Sequence, residues 1–186
     1  MTTTATHTRV RRRGATSFSS RRLGCTEALS FFEHGPGRGH DVAVRILGPD
    51  FAGILVVDFY SGYVAYIERG AHGDVALQAC WPHLLREAER VEEIRPGKRT
   101  RDFRGRLREL YGRAKEVAGT QERPAINGLY ARYRNLATDG RLARSPDVAG
   151  LQGRMVRFAG PLLKFVEVPG LPPDNNRAER DLRPFA

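Results

Sequence analysis

Two hydrophobic rhythms divide the chain near residue 80. Before it, apolar residues gather in short runs; after it, they recur every three to four positions. The run Ile54-Leu55-Val56-Val57 is continuous and β-branched, the pattern of a strand buried on both faces, and it delivers Asp58 at its C-terminal end. The aromatic segment EALSFFEH (27–34) and the stretch VALQAC (75–80) read as further strands. HDVAVRILG predicts a short helix with Val42, Ile46 and Leu47 inward and Gly48 at its end, and SGYVAYIERG predicts one or two helical turns.

From Trp81 onward the period is helical. WPHLLREAERVEEI tolerates Pro82 in its first turn and places Leu84, Leu85, Ala88 and Val91 on one face. Residues 100–119 gather Phe103, Leu107, Leu110, Tyr111 and Ala114, with arginines opposite. RPAINGLYARYRNLATDG repeats the register through Ile126, Leu129, Tyr130, Tyr133 and Leu136. A Ser-Pro start opens a further helix that runs to Phe165, with Pro161 expected to kink or divide it. There is no internal repeat.

Composition narrows the class. With 186 residues, 40% of them hydrophobic and 28% charged, the chain can build one domain with a real core and a helical insertion. No apolar run approaches the roughly 18–20 residues of a membrane span, and the arginine-bearing start lacks the apolar stretch of a secretory signal, so a cytoplasmic protein is expected. Cys25 and Cys80 cannot make a disulfide framework, nor a zinc site by themselves. The net charge of +10 favours a polyanionic partner, but six arginines and no acid fall in residues 1–24, leaving +4 over residues 25–186. Residues 1–24 are Thr-, Ser- and Arg-rich without periodicity and are expected to be disordered.

Two places carry candidate chemistry. A carboxylate ending a buried strand, as Asp58 does, is costly to desolvate unless it is paired or binds a metal. It also stands where open sheets collect ligands; the alternative is an aspartate that caps the next turn. The second place is PPDNNRAERDLRP (172–184). Asp174 or an asparagine can cap a helix there, Asn176 and Glu179 have capping-box spacing, and Arg177, Arg180 and Arg183 would form a solvated stripe. Alternatively, Glu179 is a metal ligand, with the arginines and the donors of Asn175 and Asn176 holding phosphates. In ACWPH, the Cys-x-x-His pair has no second pair to complete a zinc site, so a packed Cys80 and Trp81 beside a polar His83 is the better reading.

Three blocks in order resemble the catalytic region of bacterial transposases of the insertion-sequence-66 type: GRGHDVAVRILGPDFAGILVVDFYSGYVAY, QACWPHLLREAER and FAGPLLKFVEVPGLPPDNNRAERDLRP. The helical stretch between the second and third has the expected place with weaker motifs, and the resemblance spans about residues 28–186. It implies an RNase H-like mixed sheet flanked by helices, interrupted by a large helical insertion at about 95–145. It also implies DNA transposition by a mobile element. An Asp-Asp-Glu set would hold two magnesium ions for strand cleavage and transfer on DNA, with metals roughly 3.5–4 Å apart. By motif position Asp58 resembles the second acid and Glu179 the third. Asn175, Asn176, Arg177, Arg180 and Arg183 become DNA-contacting candidates, and a homo-oligomer is a possible assembly.

The departure from that pattern is equally specific. The first aspartate should stand on an earlier strand, yet no aspartate precedes Asp41, and Glu27 and Glu33 lack its context. The expectation is therefore a partial catalytic domain over residues 25–186, a sheet incomplete at its N-terminal edge, weak metal binding and no activity alone. The alternative is a non-enzymatic basic nucleic-acid-binding module. An RNase H-like nuclease unrelated to transposition would leave the Cys-Trp and Asn-Asn blocks unexplained.

Overall fold

The computed structural model describes residues 2–8, 16–23, 28–35, 40–48, 50–59, 61–69, 74–120 and 122–176. The fold is mixed α/β and mostly helical, and the chain divides into two units, Met1–Cys80 with Asp174–Ala186, and Trp81–Pro173.

The first unit is built on strands β1 (Thr2–Thr8), β2 (Thr16–Leu23), β3 (Ala28–Gly35), β4 (Gly53–Val57) and β5 (Val75–Ala79), with helices α1 (His40–Leu47) and α2 (Ser61–Arg69). The sheet order is β3-β2-β1-β4-β5. β1 to β3 form an antiparallel meander, whereas β4 runs parallel to both β1 and β5. Within the segment whose composition suggests disorder, residues 2–8 and 16–23 supply β1 and β2, and β1 is the third of the five strands in the sheet order. Threonine is β-branched and suits a pleated ladder even where no apolar alternation announces a strand.

β4 owes its place to its side chains. Leu55 and Val57 pack with Ala43 and Leu47 of α1, Phe51, and Tyr63 and Tyr66 of α2, while Val56 on the opposite face is buried as well. α1 ends as its sequence predicts: Gly48, at φ +76°, donates its N–H to the Val44 carbonyl and stops the helix in the left-handed region. The Tyr66 hydroxyl then donates to the Gly48 carbonyl at 2.6 Å, tying α2 to that helix end. Burial first, and the nearby Asp50 charge second, push the Tyr66 hydroxyl's pKa up.

The second unit contains α3 (Trp81–Ile94), α4 (Lys98–Thr120), α5 (Arg123–Ala137), a short 3-10 turn (Leu142–Arg144), α6 (Pro146–Arg157) and α7 (Ala159–Glu167). The predicted stripes are inward: Phe103, Leu107, Leu110 and Ala114 of α4, and Leu129, Tyr133 and Leu136 of α5, are buried. Trp81 is the keystone. Its ring stacks on Tyr111 with centroids 5.2 Å apart, meets Tyr133 edge-on, and donates its indole N–H to the Leu162 carbonyl at 2.6 Å. Those interactions join α3, α4, α5 and α7, so the helical unit begins before residue 95 and extends beyond 145. The helix that Pro161 was expected to kink or divide is divided, at Phe158, and Pro161 falls in the first turn of α7, where its missing N–H would have no helical partner. Among the described residues no helix is long and apolar enough to cross a membrane.

Candidate functional site

Asp58 follows the last residue of β4 and is half-buried. β5 continues the ladder past that point: Val57 pairs with Ala79, and the Cys80 N–H donates to the Val57 carbonyl at 2.8 Å. The C-terminal end of β4 is therefore fixed from the β5 side, and Asp58 stands where the buried strand opens toward solvent. Cys80 and Trp81 are wholly buried, in keeping with the packing role read from ACWPH.

The chain enters the helical unit immediately after Cys80 and leaves it after Pro173. At that boundary the Trp81 N–H donates to the Pro173 carbonyl at 3.1 Å, so the two ends of the inserted unit are bonded to each other. A turn prepares the return. Pro169 and Gly170, the latter at φ +77°, occupy the two central positions of a turn closed by the Leu171 N–H on the Val168 carbonyl at 3.2 Å. Proline followed by a glycine of positive φ is the signature of a type II turn. Leu171 is buried beyond it.

The closing motif starts one residue after Pro173. Asp174 accepts the Asn176 N–H on its carboxylate at 3.1 Å, and the chain becomes helical at Asn176. That bond is an Asx turn at Asp174, one of the residues foreseen as a cap for this stretch. Asn175 is buried and Asn176 exposed. Glu179, Arg177, Arg180 and Arg183 lie outside the described residues.

Among the described residues no group of three or more His, Cys, Asp or Glu side chains is placed to hold a metal ion. What they contribute is the hard oxygen donor pair of Asp58 at a strand end, which suits magnesium in kind and falls short of a site in number. β1, whose Thr2, Thr3 and Thr4 pair with Ile54, Leu55 and Val56, is TTTATHT and brings no carboxylate.

Another feature went unread in the sequence. Asp139, after α5, binds Arg106 of α4 at 2.8 Å and the Arg141 N–H at 3.0 Å, and these bonds, the Arg106 one foremost, hold its pKa below the usual carboxylate value. Around it lies a cleft of about 810 Å³ whose lining includes six basic and two acidic side chains. The cluster KRTR at 98–101, just after a Pro-Gly pair, was the available signal.

A parallel strand followed by a half-buried carboxylate, a helical unit entered after the next strand and an Asn-Asn pair after its exit define a mixed α/β protein that is mostly helical. Residues 6–186 match the family model described as Transposase IS66 family, and the chain belongs to that family. No curated protein and no solved structure matches the chain. Family membership supports a role in transposition and implies DNA as a partner.

Proposed function

We propose that this chain is an incomplete catalytic region of an insertion-sequence transposase, in which Asp58 and Glu179 are two of the carboxylates that hold divalent metal for chemistry on DNA phosphodiesters, and that it is inactive alone. The observation that carries the reading is the position of Asp58 at the C-terminal end of the buried parallel strand β4, flanked by β1 and β5. Ligands gather at such strand ends. The Trp81–Pro173 bond supports a role for Glu179, because it returns the closing motif next to the residue that follows Cys80, and Cys80 is itself bonded to Val57. The strand order β3-β2-β1-β4-β5, with β2 antiparallel to both neighbours, supports an RNase H-like fold.

In this reading magnesium supplies Lewis-acid stabilisation of the phosphate oxygens, and the chain supplies its anchors. The Asp58 carboxylate is the fixed ligand on the rigid strand. Glu179, three positions after Asn176 in sequence, is the second, and Arg177, Arg180 and Arg183 with Asn175 and Asn176 hold the DNA backbone. Carrying the β1–β4 register two residues further sets Thr6 level with Asp58. A hydroxyl residue thus stands at a level where a further carboxylate would complete the set, and the site binds metal weakly and cleaves no DNA by itself.

A Thr6→Asp substitution tests this. Manganese binding should tighten in Thr6→Asp, and the gain should vanish in Thr6→Asp/Asp58→Asn. A gain that persists without Asp58 would place the metal elsewhere. Vigorous magnesium-dependent nicking of duplex DNA by the wild-type chain, lost in Asp58→Asn, would refute the two-carboxylate site.

A further inference from the structure

We propose that the helical unit carries a second, separate DNA-binding site, the basic cleft between the start of α4 and the 3-10 turn, which takes backbone phosphates of duplex DNA. The cleft belongs wholly to the helical unit and holds about 810 Å³. Its cations come from two chain segments, Lys98 and Arg99 at the start of α4, and Arg141 and Arg144 around the 3-10 turn.

The ion pairs within the cleft decide which charges remain. Arg106 is occupied by Asp139 at 2.8 Å, and Arg95 meets Asp147 at 3.3 Å. Arg141 is 91% exposed and only 3.8 Å from Asp139, a carboxylate already committed to Arg106. Among the described residues no carboxylate pairs with Lys98, Arg99 or Arg144, all of which are exposed. Arg99 is nevertheless held in place, since its Nε donates to the Arg141 carbonyl at 3.2 Å and so links the two basic segments.

The start of α4 is also the wrong way round for an isolated helix. Its first turn contains no acidic residue and reads Lys98-Arg99-Thr100-Arg101, so cations crowd the positive end of the helix dipole. That arrangement costs stability unless an anion lies over it. Thr100 is buried, its hydroxyl donating to the carbonyls of Gly97 and Arg95, and the Arg101 N–H is bonded to the Gly97 carbonyl, so the exposed donors of this turn are the side chains of Lys98 and Arg99. Openness, charge and exposed donors fit a phosphodiester backbone, which such groups position without reading sequence.

The identity of the polyanion as DNA rests on the transposase reading; the cleft itself does not depend on Asp58. The test is fluorescence anisotropy of a labelled DNA duplex across a salt series, using the full chain. Lys98→Ala/Arg99→Ala/Arg144→Ala should weaken binding about tenfold or more near 0.1 M salt. It should also flatten the log–log salt slope by roughly 0.9 for each phosphate that is no longer neutralised. The charge-preserving Arg99→Lys/Arg144→Lys should keep most of the slope. Arg90→Ala/Arg123→Ala/Arg132→Ala, an equal charge loss at exposed positions outside the cleft, should change it less. Equal losses in the two triple variants, or no loss in the first, would overturn the site. Manganese binding by Lys98→Ala/Arg99→Ala/Arg144→Ala should match wild type, so failure of the metal reading and failure of the cleft are read separately.

Discussion

The Trp81 N–H is bonded to the Pro173 carbonyl at 3.1 Å, although 92 positions of chain separate them. The helical unit is in this sense pinched shut at its base. One residue upstream of Trp81, Cys80 is bonded to the strand that presents Asp58; one residue downstream of Pro173, Asp174 starts the motif that contains Glu179. A long insertion can sit between two parts of one site when its ends are fixed side by side.

The Trp81 side chain anchors the same end of the helical unit. Trp81→Ala removes a fully buried ring that bridges four helices and should destabilise the helical unit by about 3–5 kcal/mol. Trp81→Phe retains most of the apolar surface but strips the Leu162 carbonyl of its donor, for about 1–3 kcal/mol. Urea unfolding followed by circular dichroism measures both, and equal losses in the two variants would deny the indole hydrogen bond its role.

Gln152 offers a second test of the helical core. It is buried on α6, and its amide donates to the carbonyls of Leu136 at 2.8 Å and Asp139 at 3.1 Å, satisfying backbone acceptors at the end of α5. Gln152→Leu keeps the bulk and takes the side-chain donor from the Leu136 carbonyl, while the Asp139 carbonyl keeps the Leu142 and Ala143 N–H groups, so unfolding should require about 1–3 kcal/mol less. An unchanged denaturant midpoint would show that the carbonyls find other partners.

Asp139 makes the helical unit acid-sensitive. Bonds from Arg106 and from the Arg141 backbone lower its pKa in the folded state from the ordinary 3.8. The stabilisation is therefore complete above 3.8 and disappears as the pH falls through the depressed folded value. Asp139→Asn should melt at a lower temperature than wild type at pH 7, and the gap should narrow at a pH well below 3.8. A constant difference between them at both pH values would rule out this ionisation as the cause.

The turn before the closing motif requires its glycine. Gly170→Ala places a Cβ at φ +77° and should cost about 1–2 kcal/mol with no steric clash involved, since open space surrounds the position. Thermal melts would detect it, and a neutral result would mean the turn relaxes to a different form.

How much of this was visible in the chain depended on how local its cause was. β4 and Asp58 were legible because a continuous β-branched run needs burial on both faces wherever it sits. The helices after residue 80 were legible because their apolar stripes recur with the helical period. β1 was not, since TTTATHT shows no apolar alternation and gains its order from ladders to β2 and β4, the second of which lies far away in sequence. That α3 and α7 pack with α4 and α5 was not legible for the same reason, since it follows from the contacts of Trp81 with Tyr111, Tyr133 and Leu162. The basic cleft escaped notice because Arg99 and Arg141 meet only after folding.

The central claim is that Asp58 and Glu179 share a divalent cation. Titration of the purified chain with manganese, following the free-ion signal by electron paramagnetic resonance, examines it directly. The account predicts one weak site whose affinity falls by about tenfold or more in Asp58→Asn and again in Glu179→Gln, each removing one carboxylate from a set of two. Manganese binding that is the same in wild type and both variants would contradict it.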